Sequence, residues 1–191
     1  FIKNYPNEPV LYNISGACYA GLGQLDEAVK NYKKSLAIKP DYAEAHNNLA
    51  VTLQELGQLD AAVKSYEKAL AIKTDFADAH YNLAGALQRL GQLDAAVKSY
   101  VLALTVKPDY AEAFNNLGIA LKELGQLDTA VKSYEQVLAI NPDFAEAHNN
   151  LGIARKELNQ HDAAVKCFEQ ALVIKPDFVE AHSNLGISLQ E

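Results

Sequence analysis

The sequence predicts an all-α repeat solenoid, and three observations carry that prediction. Five consecutive blocks of 34 residues, 9–42, 43–76, 77–110, 111–144 and 145–178, share one pattern and fill most of the 191 residues. Each block holds two segments whose apolar residues recur with a helical period. Each block also closes on one loop position, occupied by Pro40, Thr74, Pro108, Pro142 and Pro176. A period in this range means stacked supersecondary units, each unable to bury its apolar face alone.

The elements follow in order within block 111–144. In its first segment, 111–124, Ala113, Phe114, Leu117, Gly118, Ala120, Leu121 and Leu124 fall on one arc of a helical wheel. In the second, 128–140, Ala130, Val131, Tyr134, Val137 and Leu138 do the same. Gly125-Gln126-Leu127 supplies the turn between them, and Pro142 stands where the second helix has ended. Asp109 and Glu112 have capping-box spacing, which predicts Asp109 as N-cap of the first helix. The pair recurs as Asp41/Glu44, Asp75/Asp78, Asp143/Glu146 and Asp177/Glu180. The second helix begins near Asp128, with Lys132 one turn on. The same acid–lysine spacing recurs at Asp26/Lys30, Asp60/Lys64, Asp94/Lys98 and Asp162/Lys166, a pattern that reads as a solvated outer face.

Phe114, Leu117, Gly118, Ala130, Tyr134 and Pro142 together resemble the signature of the tetratricopeptide repeat family, and the likeness extends over nearly the whole chain. The resemblance implies a right-handed superhelical solenoid of helix-turn-helix repeats, with Gly118 and Ala130 allowing close helix approach. Departures are local. His46, His80 and His148 replace the first aromatic, Ala50 and Ala84 the first glycine, Thr74 the proline, Val137 the last alanine and Asn159 the turn glycine; Ser15 stands where leucine is usual. The whole chain, 1–191, is expected to be one array. Residues 1–8 form the end of a preceding repeat, with Phe1–Tyr5 as its last helical turn, and 179–191 form the first helix of a truncated one. Association through these cut ends into a homo-oligomer is an expected possibility.

Composition bounds the function. The chain is 49% hydrophobic and 21% charged, a soluble composition, with no apolar run near the roughly 18 residues of a membrane helix. Twenty-four acids against 17 bases give −7, which disfavours nucleic acid and acidic membranes. No secretory signal is visible, so a cytoplasmic location is expected. The absence of Met and the start at Phe1 point to a fragment or processed chain, so an upstream signal stays open.

Catalytic constellations are not found, and the chain is not expected to be an enzyme or to hold a cofactor. His46, His80, His148 and His182 share one repeat position. Stacked helices lie about 8–10 Å apart, whereas zinc ligands meet within about 2 Å of one metal. The histidines therefore read as substitutes for the aromatic, not as metal ligands, and His161 reads as a surface turn residue. Cys18 and Cys167 fall at different repeat positions in the first and last full blocks and read as small, partly buried side chains.

The informative face lies opposite the core arc of the first helix, where Glu112, Asn115, Asn116, Ile119, Lys122 and Glu123 cluster. By the family resemblance, first helices line a concave groove. One ladder along it is polar: Asn48, Asn82, Asn116, Asn150 and Asn184, with Asn47, Asn115 and Asn149 beside them. Another is apolar: Val51, Ile119, Ile153 and Ile187, broken by Gly85. Asparagine is a weak helix former whose amide both donates and accepts, so a ladder of it suits the C=O and N–H groups of an extended chain. The alternative is that each asparagine bonds neighbouring helices or water. The ladder is similar to that of the tetratricopeptide domain of O-linked N-acetylglucosamine transferase, which implies backbone contacts at Asn48, Asn82, Asn116, Asn150 and Asn184. It also implies ligand contacts from acids one turn earlier, such as Glu112 and Glu146. Ile14 occupies the ladder position of the first block, so the polar register is expected to begin at Asn48. Tetratricopeptide domains that clamp a terminal carboxylate use Lys or Arg here. The Asn, Glu and Asp of this chain favour a neutral or basic segment.

The expected function is a protein-interaction scaffold holding an extended peptide. Two alternatives stay open: the substrate-selecting arm of a larger glycosyl- or sulfo-transferase, and a homotypic assembly module.

Overall fold

The computed structural model describes residues 7–190; the expectation for Phe1–Tyr5 lies outside them. Among the described residues there are eleven α-helices and no strand. The described residues form two compact units, divided between Val106 and Lys107. The first holds α1 (Pro9–Gly21), α2 (Leu25–Ile38), α3 (Ala43–Glu55), α4 (Leu59–Ile72), α5 (Ala77–Arg89) and α6 (Leu93–Val106). The second holds α7 (Ala111–Glu123), α8 (Leu127–Ile140), α9 (Ala145–Glu157), α10 (His161–Ile174) and α11 (Val179–Ser188). First helices begin 34 residues apart throughout, as the blocks require. Within each unit a second helix packs on its own first helix and on the next one, as α2 does on α1 and α3, and α8 on α7 and α9. Each unit is therefore a one-dimensional stack of hairpins.

The turn inside each hairpin is a hydrogen-bonded helix stop. After α7, Gln126 N–H donates to Leu121 O and Gly125 N–H to Lys122 O, both at 2.9 Å. These bonds satisfy carbonyls that the helix end leaves bare, and they need a left-handed residue between them. Gly125 supplies it at φ 73°, and Asn159 does the same after α9 at φ 59°. Asparagine is among the few non-glycine residues that tolerate that region, which explains the departure at 159.

The hairpins close on small residues. Ala28, Ala62, Ala96, Ala130 and Ala164 are fully buried, and Tyr32, Tyr66, Tyr100, Tyr134 and Phe168 lie buried one turn later. A Cβ on Gly118 would stand 2.5 Å from Cε1 of Tyr134, and one on Gly152 the same distance from Phe168. The glycine is required by that ring. Full burial of a side chain such as Phe168 is worth about 1.5–3 kcal/mol. Between repeats, Ala111, Val137 and Ala147 form a core flanked by Phe114, Leu138 and Phe144.

The loops joining hairpins correct one expectation. Asp109 and its equivalents do not cap. The N-caps of α3, α5, α7, α9 and α11 are Tyr42, Phe76, Tyr110, Phe144 and Phe178, with no side-chain cap bond. The aspartates fall one residue too early, because a turn precedes the helix: Phe178 N–H donates to Lys175 O at 3.1 Å. The aromatic is held from above by the lysine three residues before it. Lys73 Nζ lies 4.8 Å from the ring of Phe76, Lys107 Nζ 4.2 Å from that of Tyr110 and Lys175 Nζ 4.8 Å from that of Phe178. Glu44 and Glu112 sit instead in the first helical turn, where their charge suits the dipole. Lys30 pairs with Glu27 at 2.6 Å, one residue nearer than the Asp26 predicted for it.

The repeated histidines fasten the same loops. Nε2 of His46, His80, His148 and His182 lies 2.8–3.0 Å from the carbonyl oxygen six residues earlier, at Pro40, Thr74, Pro142 and Pro176. A carbonyl only accepts, so the proton sits on Nε2. At the aromatic position the rings make a bond that phenylalanine could not make.

Candidate peptide-binding groove

The paired asparagines of the first helices occupy two different layers. Asn47, Asn115 and Asn149 are buried, at 8%, 8% and 5% exposure, and Asn13 shares their layer. Asn48, Asn82, Asn116, Asn150 and Asn184 are half-exposed. The structure places the inner row beneath the surface, as support for the outer row. Asn48 Nδ2 donates to Asn13 Oδ1 at 3.1 Å, Asn150 Nδ2 to Asn115 Oδ1 at 3.1 Å, and Asn184 Nδ2 to Asn149 Oδ1 at 2.9 Å. Asn115 Nδ2 in turn donates to Asn116 Oδ1 at 3.3 Å. Each of the three cross-helix bonds spans 35 residues, one repeat plus one position. In these three rungs the outer amide donates to the inner amide of the preceding first helix.

This arrangement answers part of the question the sequence left open. One N–H of Asn48, Asn150 and Asn184 is spent on a neighbouring helix, as the structural alternative required. An amide has two N–H donors and an oxygen with two acceptor positions. One N–H of each is thus committed, and the inter-helix bond holds the rotamer of these half-exposed side chains.

Ile119 and Ile153 are half-buried. Ile153 and Asn184 line one cavity of about 490 Å³ together with Phe168 and Lys156. The second unit therefore brings a member of the apolar ladder and a member of the polar ladder to one concavity. Glu112 and Glu146 are exposed at the start of α7 and α9, and Glu146 pairs with Lys175 at 3.3 Å. That partner belongs to the loop clasp, so Glu146 has a structural task whatever else it meets.

A second concavity went unanticipated. A cleft of about 640 Å³ lies over α3 between α2 and α4, lined by Leu36, Ala37, Leu49 and Ile72 with Lys33 and Lys68 among its lining. Its signal in the sequence was the pair Lys33 and Lys68, at second-helix positions where the three blocks from residue 77 carry Glu, Val, Gln or Leu.

Cys18 is exposed and Cys167 buried, and both are free thiols. Arg155 reaches Cys167 Sγ at 3.6 Å and Glu135 at 3.1 Å. Burial pushes the Cys167 thiol up, against the pull of Arg155. Among the described residues no group of three His, Cys, Asp or Glu is set to hold a metal, and no helix is long and apolar enough to cross a membrane.

Family models described as tetratricopeptide repeat match residues 7–75, 65–98 and 145–178, and one described as TPR repeat matches 87–125 and 118–158. A crystal structure of MamA is 30% identical, covers 84% of this chain and 94% of its own, and superposes with a TM-score of 0.81. YrrB, described as a TPR protein with an unusual peptide-binding site, is 23% identical over 95% of this chain and 94% of its own. Its TM-score is 0.82, a likeness of fold alone. A 47-residue stretch, 25% of this chain, is 38% identical to the peroxisomal targeting signal receptor of Kluyveromyces lactis and spans 8% of that receptor. With repeat models matching from residue 7 to 178 and a solved relative of this identity, the chain belongs to the tetratricopeptide repeat family.

Proposed function

We propose that the chain is a protein-interaction scaffold that holds an extended peptide segment through backbone contacts to its outer asparagines. The fold is that of an interaction scaffold; the peptide mode is the finer reading. It is supported above all by the fixed presentation of Asn48, Asn150 and Asn184, whose amides are each anchored at one N–H and half-exposed at the rest. Ile119 and Ile153 offer apolar contact beside that row. Exposed acids at Glu44, Asp78, Glu112, Glu146 and Glu180 favour a neutral or basic segment. Anchoring removes side-chain freedom before binding, so less entropy is lost when a ligand docks.

The test is replacement of Asn82, Asn116 and Asn150 by Ala, read as affinity for peptides selected on this chain from a random display library. Affinity should fall by roughly 0.5–1.5 kcal/mol per neutral hydrogen bond lost, with helicity retained. Asn150→Ala also removes the donor to Asn115, so binding is measured well below the thermal transition. Unchanged affinity in the triple variant overturns the groove reading.

A further inference from the structure

One Asn–Asn rung of the array differs from the three bonded ones, and it lies beside the one break in the apolar ladder. Cross-helix bonds join Asn13 to Asn48, Asn115 to Asn150 and Asn149 to Asn184. The same 35-residue register pairs Asn47 with Asn82. There Asn47 Oδ1 is buried without a hydrogen-bond partner. A buried acceptor in that state demands a donor, because its desolvation is otherwise uncompensated.

One turn beyond Asn82, on the same face of α5, stands Gly85. It occupies the position of Val51, Ile119, Ile153 and Ile187. The glycines at 16, 118 and 152 are enforced by a ring 2.5–2.6 Å from where a Cβ would stand. Gly85 is not: its Cβ would meet only Tyr100 Oη, at 3.8 Å, an ordinary contact. Glycine weakens a helix interior, and packing gives no reason for it here. The result is open space where other repeats carry an aliphatic side chain. One wall is the Tyr100 hydroxyl, which donates to Gln88 Oε1 at 3.2 Å, and the ring of Tyr81 lies 6.0 Å from that of Tyr100.

We propose that Asn47, Asn82 and Gly85 form the specificity subsite of the groove: the half-exposed Asn82 amide turns aside, a leucine-sized aliphatic side chain of the bound peptide enters the Gly85 recess, and an N–H of that peptide reaches the uncovered Asn47 Oδ1. The inference rests on the groove reading and deepens it. A peptide is the ligand that carries an amide donor and an aliphatic branch within one residue, which is the pair of features this rung lacks. The three bonded Asn–Asn rungs satisfy one another and serve any sequence; this one is complete only when occupied.

The experiment compares the unmodified chain with Gly85→Ile and Asn47→Leu, using peptides from a random display library and synthetic versions with the enriched residue changed to Ala or Ser. Selected peptides should share Leu or Ile at one position, and Ala there should weaken binding about tenfold or more. Gly85→Ile and Asn47→Leu should melt at or above the temperature of the unmodified chain, since each fills a recess or removes a buried orphan, and both should lose binding by a similar factor. Enrichment without an aliphatic preference, or unmodified affinity in Gly85→Ile, overturns the subsite. If the Asn82/Asn116/Asn150 variant still weakens binding in that case, the groove survives and only the subsite falls. No enrichment at all, or indifference to both sets of changes, overturns the two together.

Discussion

The repeats at 43–110 and those at 111–178 solve the same packing problem differently. In the first pair Ala50 and Ala84 face Tyr66 and Tyr100, whose hydroxyls donate to Gln54 Oε1 at 3.1 Å and Gln88 Oε1 at 3.2 Å. Each glutamine lies four residues after the alanine on the same helix. In the second pair Gly118 and Gly152 admit the ring into space that a Cβ would fill, and the glutamine position is Lys122 or Lys156. The Tyr134 hydroxyl is then buried without a partner, and Phe168 has no hydroxyl to satisfy. One methyl group at the helix crossing thus goes with ring depth, and ring depth with whether a hydroxyl or a bare ring belongs there.

The largest expected effect on this comparison comes at high pH. Burial pushes the phenols of Tyr32, Tyr66 and Tyr134 above their ordinary value. Unfolded tyrosines ionise above about pH 10 while these hold their protons, so the unfolded state binds fewer protons there. Stability is fully present below that pH and falls as pH rises through and beyond it. Alkaline titration followed by circular dichroism should show unfolding in this range, and Tyr134→Phe should move the midpoint upward. An unmoved midpoint would mean that Tyr134 is not a protonated, buried phenol.

Gly118→Ala comes next, with an expected loss of about 1–3 kcal/mol from overpacking against Tyr134. Adding Lys122→Gln recreates the arrangement of Ala50, Tyr66 and Gln54 and should recover a substantial part. A double-mutant cycle in denaturant reads that coupling, and simple additivity would break the account. At neutral pH, Tyr66→Phe should cost about 0.5–1.5 kcal/mol for the lost bond to Gln54. Tyr134→Phe should cost nothing or stabilise. Equal losses at the two sites in thermal melts would erase the distinction. The smallest effect is expected at the loops. Lys73→Ala removes the contacts with Phe76 and, at 3.8 Å, Glu44, both partly exposed, for about 0.2–1 kcal/mol. Asn141→Lys, which supplies the lysine missing from one loop, should return a similar small gain.

The helical frame was legible in the sequence because the apolar period survives every substitution within it. Helix starts predicted from the blocks agree with Ala111, Leu127 and Ala145 to within a residue. The caps were not legible. Asp109 carries the right chemistry at the right spacing, but the path of the chain under Lys107 puts Tyr110 at the cap, and that path is a tertiary fact. The outer asparagines were legible as a ladder. The burial of Asn115 was not, since a wheel for one helix cannot show that Asn150 of the next closes over its flank. The adjacent Asn-Asn pair was itself the available signal: two amides a third of a turn apart, repeated every 34 residues, reach both the next helix and the solvent.

The loop fastening has a consequence for how such a chain changes length. In residues 39–46 the lysine covers the aromatic and the histidine returns to the proline carbonyl, so both of these fastenings lie in eight consecutive positions. A duplicated repeat therefore inherits its own hinge-pin, and a whole copy brings both fastenings of its joint with it. A single inserted residue between Pro40 and His46 has no such immunity, because it throws the ring nitrogen out of reach of its oxygen.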